Sequence, residues 1–71
     1  MNKILELTHI GRDSFDRPVY KCGEKLYVDV DPRGHMPADI HTKSDNDFDG
    51  EPDWRIDDDV EVVFIPLRDT W

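Results

Sequence analysis

The sequence predicts an all-β fold, a single domain over residues 1–71 built as a small antiparallel sheet or SH3-like partial barrel of about four strands. Apolar residues alternate with a period of two in several short stretches, and glycines and prolines separate these stretches. No stretch shows a convincing helical period of 3.6 residues. With 71 residues, of which 37% are hydrophobic, the chain can bury one small core.

Residues 3–10 are predicted to form the first strand. Leu5 and Leu7 fall on one side of it, and Ile4 and Ile10 fall on the other. Apolar groups on both faces suit a central or barrel strand.

A β-hairpin is predicted around a two-residue type II′ turn at Gly23 and Glu24. Its register pairs Tyr20 with Tyr27 as an aromatic pair on the outer face. The residues predicted to point to the core are Leu26, Val28 and Val30, and those predicted to point outward are Tyr27, Asp29 and Asp31.

Beyond the hairpin, residues 32–59 are predicted to be one long irregular loop, because prolines and glycines interrupt them repeatedly. A last strand is predicted from Glu61 toward Leu67, with Val60, Val62 and Phe64 on one face, and Pro66 is predicted to end it.

The acidic segment, defined as residues 45–59, is the main candidate for function. It carries eight carboxylates and one base, Arg55, which is a net −7 of the whole chain's −8. Charge at this density must be solvated, bind a cation or face a basic partner.

One hypothesis for this segment is a calcium site. Asp45, Asp47 and Asp49, with Gly50 in sixth place, match the first half of a calcium-binding loop. The twelfth position is Ile56, which supplies no bidentate carboxylate. A solvated acidic turn is the alternative interpretation.

A zinc site is a second metal hypothesis, with the ligands Cys22, His35, Asp39 and His41. The spacing of these residues is not one of the usual zinc patterns, and Cys22 has no second cysteine to join it. In either case the role would be a metal-stabilised structural module, and otherwise no cofactor is expected.

The hypothesis that we favour is a protein-binding face. Every second residue from 45 to 53 is acidic, so an extended backbone would project these side chains to one side. Charge would steer a basic partner, and aromatic residues would anchor it. The predicted contact residues are Asp45, Asp47, Phe48, Asp49, Glu51, Asp53 and Trp54.

Composition argues against several other classes. We found no nucleophile motif or phosphate loop, so we predict that the protein is not an enzyme. Scattered bases and a pI near 4.5 argue against direct binding to nucleic acid or an anionic membrane. One cysteine, no apparent signal peptide and no apolar span favour a cytoplasmic protein.

Four stretches resemble a group of small uncharacterised proteins of bacterial mobile elements and phages. They are GRD at 11–13, RPVYK at 17–21, LYVDVDPR at 26–33 and FDGEPD at 48–53. The group has no assigned activity. By analogy, the resemblance implies an accessory or anti-defence factor, such as an anti-CRISPR protein, that engages a basic protein handling nucleic acid.

Overall fold

The computed structural model of the protein describes residues 3–71. Six strands and one short 3₁₀ turn, Ser44–Asn46, form its regular structure. The strands are β1 Lys3–Arg12, β2 Pro18–Cys22, β3 Lys25–Asp29, β4 Ile40–Lys43, β5 Pro52–Arg55 and β6 Val60–Ile65. Within this range no helix has the length and apolar character needed to cross a membrane.

All six strands belong to one sheet in the order β5-β4-β3-β2-β1-β6. Neighbouring strands are antiparallel except β1 and β6, which run parallel. The predicted all-β class is confirmed, whereas the SH3-like arrangement of about four strands is not. The prediction missed β4 and β5, two strands of four residues each inside the predicted loop. It also made the whole sheet antiparallel, since periodicity does not reveal which strands become neighbours.

The predicted hairpin register is confirmed. Tyr20 pairs with Tyr27, and Val19 pairs with Val28. Gly23 takes a φ of +60°, a left-handed conformation that favours glycine in a tight turn.

The predicted outer face of the hairpin was wrong, whereas Val28, predicted to point to the core, is fully buried. Tyr20 and Tyr27 are buried with Leu7 and Ile40 in the core cluster, rather than exposed as an outer pair. The ring of Tyr20 lies 5.0 Å from that of Phe64, and its hydroxyl accepts a hydrogen bond from the Asp69 amide. A tyrosine can be buried this way because its one polar atom finds a partner.

The opposite face of the hairpin is also buried at its centre. Val19 and Val28, which alternate with the tyrosines, are both fully buried.

Asp29, predicted to point outward, is fully buried as well. Its carboxylate accepts hydrogen bonds from the amides of Asp31 and Asp39. Periodicity misplaced this aspartate because it does not reveal such partners.

The C-terminal residues tie the ends of the strands together. Arg68 lies 3.3 Å from the Asp29 carboxylate and donates to the Met36 carbonyl. The Asp69 carboxylate accepts two hydrogen bonds from the Arg12 guanidinium, each 2.8 Å long. Arg12 lowers the pKa of Asp69, against an opposing effect of burial.

Candidate protein-binding surface

The acidic segment begins with a compact turn over residues 45–50, the acidic turn. Asp45 and Asn46 both have left-handed backbone conformations, with φ near +56° and +52°. The Gly50 amide donates to the Asp47 carbonyl, and the Asp49 amide donates to the Asp47 side chain. Asparagine and aspartate accept such conformations because their short side chains hydrogen-bond locally.

The predicted extended row of acids is therefore wrong over residues 45–51. The left-handed conformations of Asp45 and Asn46 turn the backbone at the start of the segment, so successive carboxylates do not alternate as they would in a strand. Of the five alternating acids only Asp53 lies in a strand, β5, although the Asp47 backbone is locally extended as well. The segment presents its charge from a turn followed by a short strand.

A buried ion pair fixes the base of this turn. Lys43, at the end of β4, is 4% exposed, and Asp13, in the β1–β2 loop, is 6% exposed. The Lys43 ammonium donates to the Asp13 carboxylate at 2.7 Å and to the Gly50 carbonyl at 3.2 Å. Lys43 thus joins the acidic turn to the β1–β2 loop through one cation.

Asp13 is held by several donors at once. It accepts hydrogen bonds from the amides of Phe15 and Arg17 and from the Arg17 guanidinium. Burial raises the pKa of Asp13, but the hydrogen bonds from Lys43 and Arg17 outweigh it and lower the pKa to about 2. The carboxylate stays charged in the interior because its partners replace water.

Two further contacts position the acidic turn. The Asn46 side chain accepts from the Leu26 amide at 2.7 Å and donates to the Glu24 carbonyl, which joins the turn to the β2–β3 hairpin. The Asp49 carboxylate accepts from the Ser14 amide at 2.9 Å. The turn is therefore bound to the hairpin on one side and to the β1–β2 loop on the other.

The two predicted aromatic anchors occupy different environments. Phe48 is partly buried and packs on Gly11, where an added Cβ would lie 3.4 Å from its ring. Trp54 lies on edge strand β5 and is 77% exposed. It borders a cleft of about 400 Å³ lined by Glu24, Lys25, Thr42, Lys43, Asn46 and Asp53. Phe48 thus holds the turn in place, and Trp54 is free for contact.

Ion pairing separates the acidic segment from the rest of the molecule. Within residues 3–71, only one of its eight acids, Asp58, forms a salt bridge, and its partner is Arg55. Six of the nine bases are paired, and apart from Asp58 their partners lie outside the segment. These paired bases are Arg12, Arg17, Arg33, Lys43, Arg55 and Arg68. The segment therefore keeps nearly all of its negative charge unpaired.

The proposed metal ligands do not form a cluster in the described part of the chain. No group of three or more histidine, cysteine or acidic side chains between residues 3 and 71 is arranged to hold a metal. The Asp49 carboxylate is engaged by Ser14, and His41 lies 3.2 Å from Asp39. Cys22 packs against the core cluster, and His35 is exposed in the β3–β4 loop. The calcium and zinc hypotheses stay predictions.

Sequence reasoning missed Lys43, Asp13 and Asn46, the residues that hold the surface in place. Lys43 did carry a signal, because it is the one base between Arg33 and Arg55. A single cation in such an acidic stretch is a candidate for a buried pair. Its actual partner, thirty residues away, depends on the tertiary structure.

Acid is expected to destabilise the fold through Asp13. Its pKa in the folded protein is lowered to about 2, so its contribution is present above about pH 4 and is lost as the pH falls toward 2. The expected loss is about 2 kcal/mol in the free energy of unfolding. Denaturant unfolding at several pH values between about 4 and 2 measures it. An unchanged unfolding free energy over this range would contradict the assignment.

No protein-family model, curated protein or solved structure matches this chain.

Proposed function

We propose that the protein is a non-enzymatic binding module whose acidic segment engages a basic surface on another protein. The supporting observation is the separation of charge described above: within residues 3–71, five of the eight bases outside the segment are paired, while seven of the eight acids of the segment are not. A patch of unpaired charge attracts an oppositely charged partner from a distance and orients it on approach.

The attachment of the segment supports the same function. Lys43, Asn46 and Asp49 fix the acidic turn to the β1–β2 loop and the β2–β3 hairpin. The turn would therefore lose little further conformational freedom on binding. A surface that is already ordered loses less conformational entropy when it binds.

Trp54 gives this surface an apolar anchor. It is exposed beside a cleft and close in sequence to unpaired carboxylates. An arginine of the partner could stack on the indole ring while it pairs with Asp53. Tryptophan and arginine are enriched among the residues that dominate binding energy.

The resemblance to proteins of mobile elements and phages suggests the kind of target. In this proposal the basic partner handles nucleic acid, and the protein acts as an accessory or anti-defence factor in the cytoplasm. It competes by occupying a surface that otherwise binds phosphates.

Charge reversal tests the proposed surface. We expect Asp47→Lys/Asp49→Lys to weaken partner binding by at least about tenfold, because close charge pairs across an interface contribute strongly. The matched control is Glu6→Lys/Glu61→Lys, which changes the net charge equally at exposed sites on β1 and β6. We expect the control to bind within about twofold of the wild type.

The measurement starts with proteins captured from a bacterial lysate, followed by titration of the purified partner. Wild-type affinity should fall steeply between about 50 and 300 mM salt, because screening weakens charge attraction. Full binding by the Asp47→Lys/Asp49→Lys variant, or equal losses in both double variants, would refute the proposal.

A further inference from the structure

The outer edge of β6 is the least protected backbone of the sheet. No strand within residues 3–71 pairs with this edge, since β6 is last in the strand order. Its six residues, Val60–Ile65, include no proline, lysine or arginine. An exposed edge of this kind can pair with another strand.

The other edge strand, β5, carries the usual protection. Pro52 begins it, and the pairing with β4 is irregular between His41 and Lys43. Prolines and bulges are devices that prevent edge-to-edge association. The contrast between the two edges points to β6 as a place of association.

The side chains of β6 are suited to this role. Val63 and Ile65, on the face away from the core, are 43% and 40% exposed. Ile4 on the neighbouring β1 is also exposed. Pairing at the edge would remove part of this apolar surface from water.

We propose that two copies of the protein associate through antiparallel pairing of their β6 strands. In the register centred on Val63, Val62 faces Phe64 of the second copy, and Glu61 faces Ile65. Charge favours the antiparallel direction, because three aspartates, residues 57–59, immediately precede the strand. Parallel pairing would align these acids with their own copies, whereas antiparallel pairing in this register places them beside residues 67–69, which carry one base and one acid.

The interface does not depend on the proposed function. The acidic turn lies between β4 and β5, at the opposite end of the strand order. The two hypotheses also differ in their response to salt. Self-association of a chain with a net charge of −8 should strengthen as salt screens repulsion, whereas binding to a basic partner should weaken.

Sedimentation equilibrium of the purified full chain tests the proposal. We expect a monomer–dimer equilibrium at roughly 100 µM protein, as is typical of a small interface, shifting toward dimer as salt rises. Val63→Lys should weaken the dimer at least about tenfold, because it places two like charges together at the centre. The control Trp54→Lys, on the other edge strand, should leave the dimer unchanged.

Thermal melting of each variant establishes that it is folded, and the exposed positions of Val63 and Trp54 favour this. A wild-type chain that stays monomeric up to about 1 mM would overturn the proposal. So would a Val63→Lys dimer as tight as that of the wild type, or a dimer lost on Trp54→Lys. The charge reversal at Asp47 and Asp49 is tested separately, because these two residues lie between β4 and β5 and not next to β6.

Discussion

An Asp13→Asn variant is expected to lose about 2–5 kcal/mol of unfolding free energy, because it leaves the buried Lys43 ammonium without a counter-charge; the lower bound is the loss expected on protonation of Asp13. Asparagine keeps an oxygen that can accept from the amides of Phe15 and Arg17, so the change isolates the charge. The loss is comparable to the whole stability expected of a core this small, on the order of 3–5 kcal/mol. We therefore expect the variant to be largely unfolded at room temperature.

The control lies in the same loop. Asp16 pairs with Arg12 at an exposed site, and Asp16→Asn should cost less than about 1 kcal/mol. A second variant, Asp13→Asn/Lys43→Met, removes the unpaired Lys43 ammonium and should recover part of the lost stability, since Arg17 still lacks its counter-charge. Tryptophan fluorescence without denaturant measures the folded fraction of each variant, and urea unfolding gives the free energy of those that fold. A single Asp13→Asn variant as stable as the wild type would show that the pair does not hold the loops together.

A Gly50→Ala variant is expected to displace the acidic turn. A Cβ at this position would clash with the Ser44 carbonyl oxygen and would lie 3.1 Å from that of Asp47. Both neighbours are backbone atoms, which cannot rotate away as a side chain could. We expect a loss of about 1–3 kcal/mol, the usual cost of overpacking, together with altered exposure of the carboxylates.

Gly34→Ala is the matched control for this variant. An added Cβ there would meet only Thr70, at 3.7 Å, which is ordinary van der Waals contact. The change should be neutral or slightly stabilising, by up to about 1 kcal/mol. Denaturant unfolding measures the stability of both variants, and amide chemical shifts across residues 44–51 report the displacement. An unperturbed turn in Gly50→Ala would contradict the close approach.

The fold was predictable wherever neighbouring residues carry the information. The Gly23 turn and the strict alternation around it predicted the β2–β3 register, because turn geometry and pairing are local. Alternation likewise predicted β6, with Val62 and Phe64 on one face. By contrast, β4 and β5 are four residues long and lie among prolines and glycines, so alternation was too brief to reveal them.

The candidate surface could likewise be predicted only in part from the sequence. Its position and its charge could be read from the chain alone, because eight acids against one base require no coordinates. Its shape could not be, since the left-handed turn at Asp45 and the Lys43–Asp13 pair depend on contacts distant in sequence. Phe48 and Trp54 look equivalent in the sequence, yet Phe48 packs on Gly11 whereas Trp54 stays exposed.

Sequence alone determined the β class, the hairpin register and the location of the concentrated negative charge, since each follows from residues close together in the chain. Tertiary structure decided the direction of β6, the burial of both tyrosines and the attachment of the acidic turn. These features depend on which distant groups become neighbours. A buried carboxylate or ammonium is tolerated only where such a neighbour supplies the hydrogen bonds that water would otherwise provide.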